Sequence, residues 1–285
     1  MCAGKLEPPS MNVKMRYCDF NSWCNGIADF YNNNPEFISG AFTGGFFDIT
    51  EKHNLLKLFL GDFKKKNVLD IGCGYGGLYE IVAGLGINKY IGVDITPKAL
   101  EVAIAKYPNA QFICGDFHRL SELFGKQKFE IVFILDTLEH SVDPLLVLTQ
   151  CRQILTPDGK LMIIVPNYAN FAGLKKQYKE KLGKYSPSTW SPFCKEKPQK
   201  YEDFITCFKI RRLLKRAGFK VLIERGWDII VAFWPTAYGD NELRGFWANH
   251  ATWYWHFNRK AMNALIFLTS KISMYYFVSA RCDDL

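Results

Sequence analysis

The stretch Val68-Leu69-Asp70-Ile71-Gly72-Cys73-Gly74-Tyr75-Gly76-Gly77 constrains this chain more than any other. A short run of β-branched and other apolar residues leads directly into closely spaced glycines, and a helical stretch follows. Glycine has no Cβ, so its backbone takes turns closed to other residues and lets a ligand lie against it. A glycine-rich turn at the carboxyl end of a strand is where doubly wound sheets bind their ligands. A nucleotide-type cofactor is therefore expected here.

The rest of the chain supplies the sheet that such a turn needs. Apolar runs at Val68 to Ile71, Tyr90 to Val93, Gln111 to Cys114, Ile131 to Leu135 and Leu161 to Val165 alternate with helical stretches. Near-continuous apolar strands separated by helices predict a parallel sheet with crossover helices on both faces. After Pro166-Asn167 the alternation stops; Tyr201 to Ala217 then predicts an amphipathic helix closed by Gly218. A strand is predicted over Phe219 to Glu224, a helix over Trp255 to Lys271 and a last strand over Met274 to Ala280. The expected fold is α/β: a doubly wound, mostly parallel seven-stranded sheet with an antiparallel C-terminal edge strand, an N-terminal cap and an insertion after the fifth strand. Residues 1–60, rich in aromatics and turn formers, form the cap or substrate lid. Residues 61–285 form the main domain, with insertions at about 168–200 and 227–255.

Each strand end carries chemistry. Asp94 closes the second strand and is followed by Ile95, placing a carboxylate where two ribose hydroxyls can donate to it. The third strand ends in Gly115-Asp116-Phe117, an acceptor for an exocyclic amine next to an aromatic face. The fourth ends in Leu135-Asp136-Thr137-Leu138-Glu139-His140. Gly72, Gly74 and Gly77 also satisfy the G-x-G-x-x-G pattern of dinucleotide-binding oxidoreductases, so the glycines alone leave two cofactor classes open.

In combination these motifs resemble the seven-strand, Rossmann-like (class I) S-adenosylmethionine-dependent methyltransferase superfamily. Four motifs occur in its order, with 24 residues from Asp70 to Asp94 and 22 from Asp94 to Asp116. The resemblance implies that the cofactor is S-adenosylmethionine. It implies that Gly72 and Gly74 flank the methionine portion, within a loop that also includes Cys73 and Gly76 and that Asp70 orients. Asp94 and Ile95 would hold the ribose, Asp116 and Phe117 the adenine, and Leu135 would face the sulfonium. The implied reaction is methylation of a small molecule, most simply at a hydroxyl of an aromatic, apolar or acidic acceptor. N- or C-methylation is an alternative. An NAD(P)-dependent oxidoreductase is the rival enzyme, and no Tyr-x-x-x-Lys set is placed to serve it; a non-catalytic cofactor-binding subunit is the third reading.

His140 is the expected base, with Glu139 beside it, because an imidazole titrates near neutral pH. Ubiquinone-pathway O-methyltransferases, the nearest group by resemblance, carry E-x-x-E-H at this position around a divalent metal. The chain has Asp136-x-x-Glu139-His140 there, which leaves metal ligation as a second reading behind the base.

Composition restricts partners more than it identifies them. The 285 residues are 48% hydrophobic and 22% charged, as expected for a folded globular protein. The nine cysteines are scattered, with no C-x-x-C pair, and read as reduced thiols rather than a disulfide framework or zinc site. The net charge of +8 owes much to Lys175 to Lys200, where eight lysines face Glu180 and Glu196. Such a cluster attracts phosphates or carboxylates. Five of the seven tryptophans, Trp227, Trp234, Trp247, Trp253 and Trp255, fall in one stretch that can pack a second small core, build an apolar pocket or touch a membrane surface. Nucleic acid is disfavoured, since basic and aromatic residues occupy separate blocks instead of interleaving. With no run long enough to span a bilayer and no apolar leader, a cytoplasmic location is expected.

Overall fold

The computed structural model describes residues 20–34, 38, 49–170, 173–174, 178, 181–182, 205–227, 271–273 and 275–283. Most of the lysine-rich and tryptophan-rich stretches, and the helix expected over 255–271, lie outside the described residues.

Two helices, α1 (Phe20–Asn33) and α2 (Ile49–Leu60), precede the sheet. The strands are β1 (Asn67–Ile71), β2 (Lys89–Asp94), β3 (Gln111–Cys114), β4 (Phe129–Leu135), β5 (Leu155–Pro166), β6 (Phe219–Trp227) and β7 (Tyr275–Cys282). Helices α3 (Gly77–Val82), α4 (Pro97–Lys106), α5 (Leu120–Phe124) and α6 (Pro144–Ile154) link the first five strands, and α7 (Cys207–Arg216) precedes β6. The strand order is β3-β2-β1-β4-β5-β7-β6, mostly parallel with antiparallel strands toward one edge. The chain order reverses between β1 and β4, which leaves a crevice at their carboxyl ends, the usual ligand position in such sheets.

By contacts the chain divides into two compact units. One comprises Met1–Ile163, Leu213–Ile223 and Ser279–Leu285, and the other Ile164–Arg212 and Glu224–Val278. In the first unit the core follows from the apolar runs. Val68, Leu69 and Ile71 of β1 and Ile131 to Ile134 of β4 are buried on both faces of the sheet. Phe133 stacks on Phe63 with ring centroids 6.3 Å apart. In the second unit Asn167, fully buried after β5, spends its amide on the carbonyls of Lys271 and Ser273 and accepts from the Cys207 N–H. Glu224 gathers Lys271, Arg211 and the Tyr276 hydroxyl.

The first helix was not legible as one. Asn21, Asn25, Gly26 and Asn32 are poor helix formers, yet Cys24 and Ile27 bury one face of α1. Cys24, Cys73, Cys151 and Cys207 are buried free thiols and Cys282 a partly exposed one. Cys114, at the end of β3, is disulfide-bonded, so the expectation of reduced thiols does not hold at that residue. Its irregular sequence spacing gave no sign of pairing.

Two local features fix how β1 and α6 sit. Asp70 is buried in β1, and its carboxylate accepts a 2.6 Å hydrogen bond from the Tyr90 hydroxyl of neighbouring β2. Burial raises the Asp70 carboxyl from 3.8 to about 7; the Tyr90 bond works against the rise and the nearby Asp94 adds to it. Helix α6 starts with Asp143 as N-cap, its side chain accepting from the Leu146 N–H at 3.0 Å, and Pro144 in the first turn.

Asp143→Ala should lower stability by about 1 kcal/mol, measured by urea unfolding, as expected for loss of one helix cap. Between pH 3.8 and about 7 the folded protein holds a proton on Asp70 that the unfolded chain has released. The contribution of Asp70 is therefore present at low pH and lost as pH rises through about 7. Asp70→Asn, which keeps an acceptor for Tyr90, should flatten this part of the urea-midpoint profile; an unchanged profile would place the titration elsewhere.

Candidate active site

The loops after β1, β2, β3 and β4 and one side of α1 enclose an open cavity of about 500 Å³. Its floor is the glycine turn. Gly72 and Gly74 have φ of 73° and 50°, in the left-handed region. A side chain on Gly72 would overlap Thr137, and one on Gly74 would lie 2.7 Å from Ile38 Cγ2. The bare backbone of both residues lines the cavity. The turn is anchored by N–H bonds from Gly72 and Cys73 to the Val93 carbonyl at 2.7 and 3.1 Å. Asp70 does not itself line the cavity; its carboxylate, behind the turn, is held by Tyr90.

Asp94 completes the anchoring. One carboxylate oxygen accepts the Gly74 N–H and the other the Thr96 N–H, both at 2.8 Å. Desolvation raises its carboxyl above the ordinary range, and these backbone donors oppose the rise. The carboxylate also lines the cavity. Ile95 and Thr96 continue the wall beside it.

The third and fourth strand ends are joined through buried hydrogen bonds. Asp116 Oδ1 accepts from the His118 N–H at 2.9 Å and lies 2.7 Å from His118 Nδ1, while His118 Nε2 is 2.8 Å from Ser141 Oγ. Asp116 therefore turns toward His118, away from the cavity wall, and Phe117 is the member of the Gly115-Asp116-Phe117 motif that lines it. Asp116 Oδ2 is buried, with no donor among the described residues.

Asp136, with φ of 49°, and Thr137 lie on the β4 side, and Thr137 Oγ1 donates to the Leu135 carbonyl at 2.9 Å. His140 reaches the cavity from a short 3-10 turn, Leu138–His140. Its Nε2 lies 2.8 Å from the Tyr31 hydroxyl of α1, the rings edge to face with centroids 5.5 Å apart. Glu139 Oε1 stands 3.9 Å from the same nitrogen, but Glu139 is buried behind the wall.

Of the residues expected from sequence, Gly72, Gly74, Asp94, Ile95, Phe117 and His140 line the cavity. Asp70, Cys73, Gly76, Asp116, Leu135 and Glu139 stand behind it. Cys73 packs where a Gly92 side chain would be, 2.7 Å from that absent Cβ, and burial together with Asp94 and Asp70 holds its thiol protonated. Gly76 starts α3 and lies against Phe112 and Tyr107. Ile27, Tyr31, Ile38, Thr96 and Thr137 were not expected in the site. Ile27 and Tyr31 belong to the same face of α1 as Cys24, a repeat of three and four residues that the sequence does contain.

Asp136, Glu139 and His140 do not form a gathered metal-ligand trio among the described residues. The trio whose ligand atoms lie within 4.8 Å of one another is Cys24, Asp116 and His118. Both ring nitrogens of His118 are already engaged there, by Asp116 and Ser141.

Residues 62–218 match a family described as "Methyltransferase domain". The ubiquinone biosynthesis O-methyltransferase of Actinobacillus pleuropneumoniae serotype 7 (strain AP76) is 34% identical over 109 residues, covering 36% of this chain and 46% of the relative. The chain thus matches about half the length of that curated relative. Among solved structures, the [4+2]-cyclase SpnF superposes with a TM-score of 0.58 at 14% identity, over 91% of this chain and 97% of its own. An S-adenosylmethionine-dependent methyltransferase from Clostridium acetobutylicum ATCC 824 does so at 0.51 and 12% identity, over 91% and 99%. At such identities the superpositions establish the fold alone, and a cyclase among them illustrates that fold does not dictate reaction. The family match spans more than half of the chain and includes the glycine turn and all four loops of the cavity; the chain belongs to the methyltransferase-domain family, of the seven-strand, S-adenosylmethionine-dependent class.

Proposed function

We propose that this protein transfers the methyl group of S-adenosylmethionine to a hydroxyl of a small aromatic or apolar acceptor. The observation that carries the reading is the meeting of Gly72, Gly74, Asp94, Phe117 and His140 around one cavity. The bare glycine backbone accommodates an amino-acid chain, and Asp94 presents its carboxylate to the two ribose hydroxyls. Phe117 offers a face to adenine. The cofactor supplies an electrophilic methyl whose leaving group, a neutral thioether, needs no proton.

The chain's own contribution is then orientation and proton handling. With the cofactor against Gly72, Gly74 and Phe117, Thr137 and His140 are the lining groups left to face the acceptor. Holding two reactants in line supplies much of the rate in a displacement of this kind. His140 accepts the hydroxyl proton as the oxygen becomes a nucleophile. Glu139, 3.9 Å behind it, stabilises the charged imidazolium. The similarity to ubiquinone biosynthesis O-methyltransferases supports oxygen as the atom methylated.

Calorimetric titration with S-adenosylmethionine, S-adenosylhomocysteine and NADH should give micromolar binding of the two sulfur compounds and none of NADH. NADH binding alone would replace this reading with hydride transfer. Asp94→Ala should weaken S-adenosylhomocysteine by roughly ten- to a hundredfold, the range for a lost charged hydrogen bond of about 1.5–3 kcal/mol. His140→Ala should depress turnover while leaving that affinity intact; equal loss of both would make His140 structural.

A further inference from the structure

In the proposed reaction the nitrogen that must take a proton from the acceptor already has a hydroxyl against it. The Tyr31 hydroxyl sits 2.8 Å from His140 Nε2, inside the same cavity as Gly72, Gly74 and Asp94. A tyrosine side chain is a phenol, so this contact has the geometry that a phenolic acceptor would need. Methyl transfer brings cofactor and acceptor together in this cavity, and the group in the acceptor's place on His140 is Tyr31.

The surroundings specify the visitor. Ile27, Ile38 and Tyr31 supply an apolar and aromatic side to the cavity, with Asp94 and Asp136 among its polar members. That apolar and aromatic side suits the ring of a phenol.

We infer that Tyr31 is a positioning and specificity residue that holds the acceptor's seat: its phenol occupies, on His140, the position of the hydroxyl of a phenolic acceptor, which binds by displacing it. The inference rests on the proposed methyl transfer. Displacement exchanges one O–H to imidazole hydrogen bond for another, so His140 keeps a partner at every stage. When the acceptor leaves, Tyr31 returns and the base is covered.

The test uses the full chain saturated with S-adenosylhomocysteine, with catechol as probe. Tyr31→Phe keeps the ring and removes the competing hydroxyl. Catechol should bind this variant roughly fivefold more tightly than wild type, within the range of one net hydrogen bond. In wild type, saturating catechol should shift the His140 ring resonances in histidine-labelled NMR spectra. Unchanged or weaker catechol binding by Tyr31→Phe would overturn the inference, as would His140 resonances indifferent to catechol. If neither protein binds catechol while both bind S-adenosylhomocysteine, the acceptor seat is wrong and the cofactor assignment stands. If wild type fails to bind S-adenosylhomocysteine, the methyl-transfer reading itself falls.

Discussion

The double acceptance at Asp94 holds the site together. One half-buried carboxylate takes the Gly74 N–H from the first loop and the Thr96 N–H from the second, both at 2.8 Å. Charge in an apolar setting is costly, and the raised carboxyl of Asp94 records that cost; the two backbone donors are what offset it. The arrangement works only because β1 and β2 are parallel and in register, with Asp70 opposite Gly92 and Ile71 opposite Val93. Gly92 matters for the same reason, since a side chain there would meet Cys73 and Phe112 and push the turn off its anchor. The glycine side of the cavity is thus shaped mainly by main-chain groups held by one side chain.

This explains which parts of the fold and site were legible in the sequence. Strands β1 to β4 were found within two residues of their ends, and in β1, β2 and β4 burial on both faces leaves a continuous signal. Residues whose role follows from backbone position, namely Gly72, Gly74, Asp94 and Ile95, were found through motif and spacing. For the residues behind them, a motif gives the order of side chains but not the side of the loop each one takes. Asp70 and Cys73 turn into the sheet, Asp116 turns to His118, and Leu135 keeps its side chain in the core. Tyr31 escaped because it arrives from a helix more than a hundred residues away in sequence, and its asparagine-rich neighbours mask the apolar repeat on that helix.

The two ends of the cavity differ in kind. On the glycine side the polar partners are backbone amides, which a substitution of side chains cannot remove. On the His140 side they are side chains contributed by separate elements: Tyr31 from α1, Glu139 from the wall, Thr137 bonded back to Leu135. A site built this way can vary what it accepts without disturbing how it holds the nucleotide, consistent with a fold that hosts unrelated reactions.

The buried run from Asp116 through His118 to Ser141 adds a mechanical condition to that freedom. It clamps the segment bearing Phe117 to the segment bearing His140, so neither can be re-aimed alone. Grafting a foreign loop after β4 would cut the clamp at Ser141 and release Phe117 as well, disturbing the cavity wall for a reason that has nothing to do with the grafted loop's own side chains. A loop exchange between relatives should therefore move both segments as one cassette.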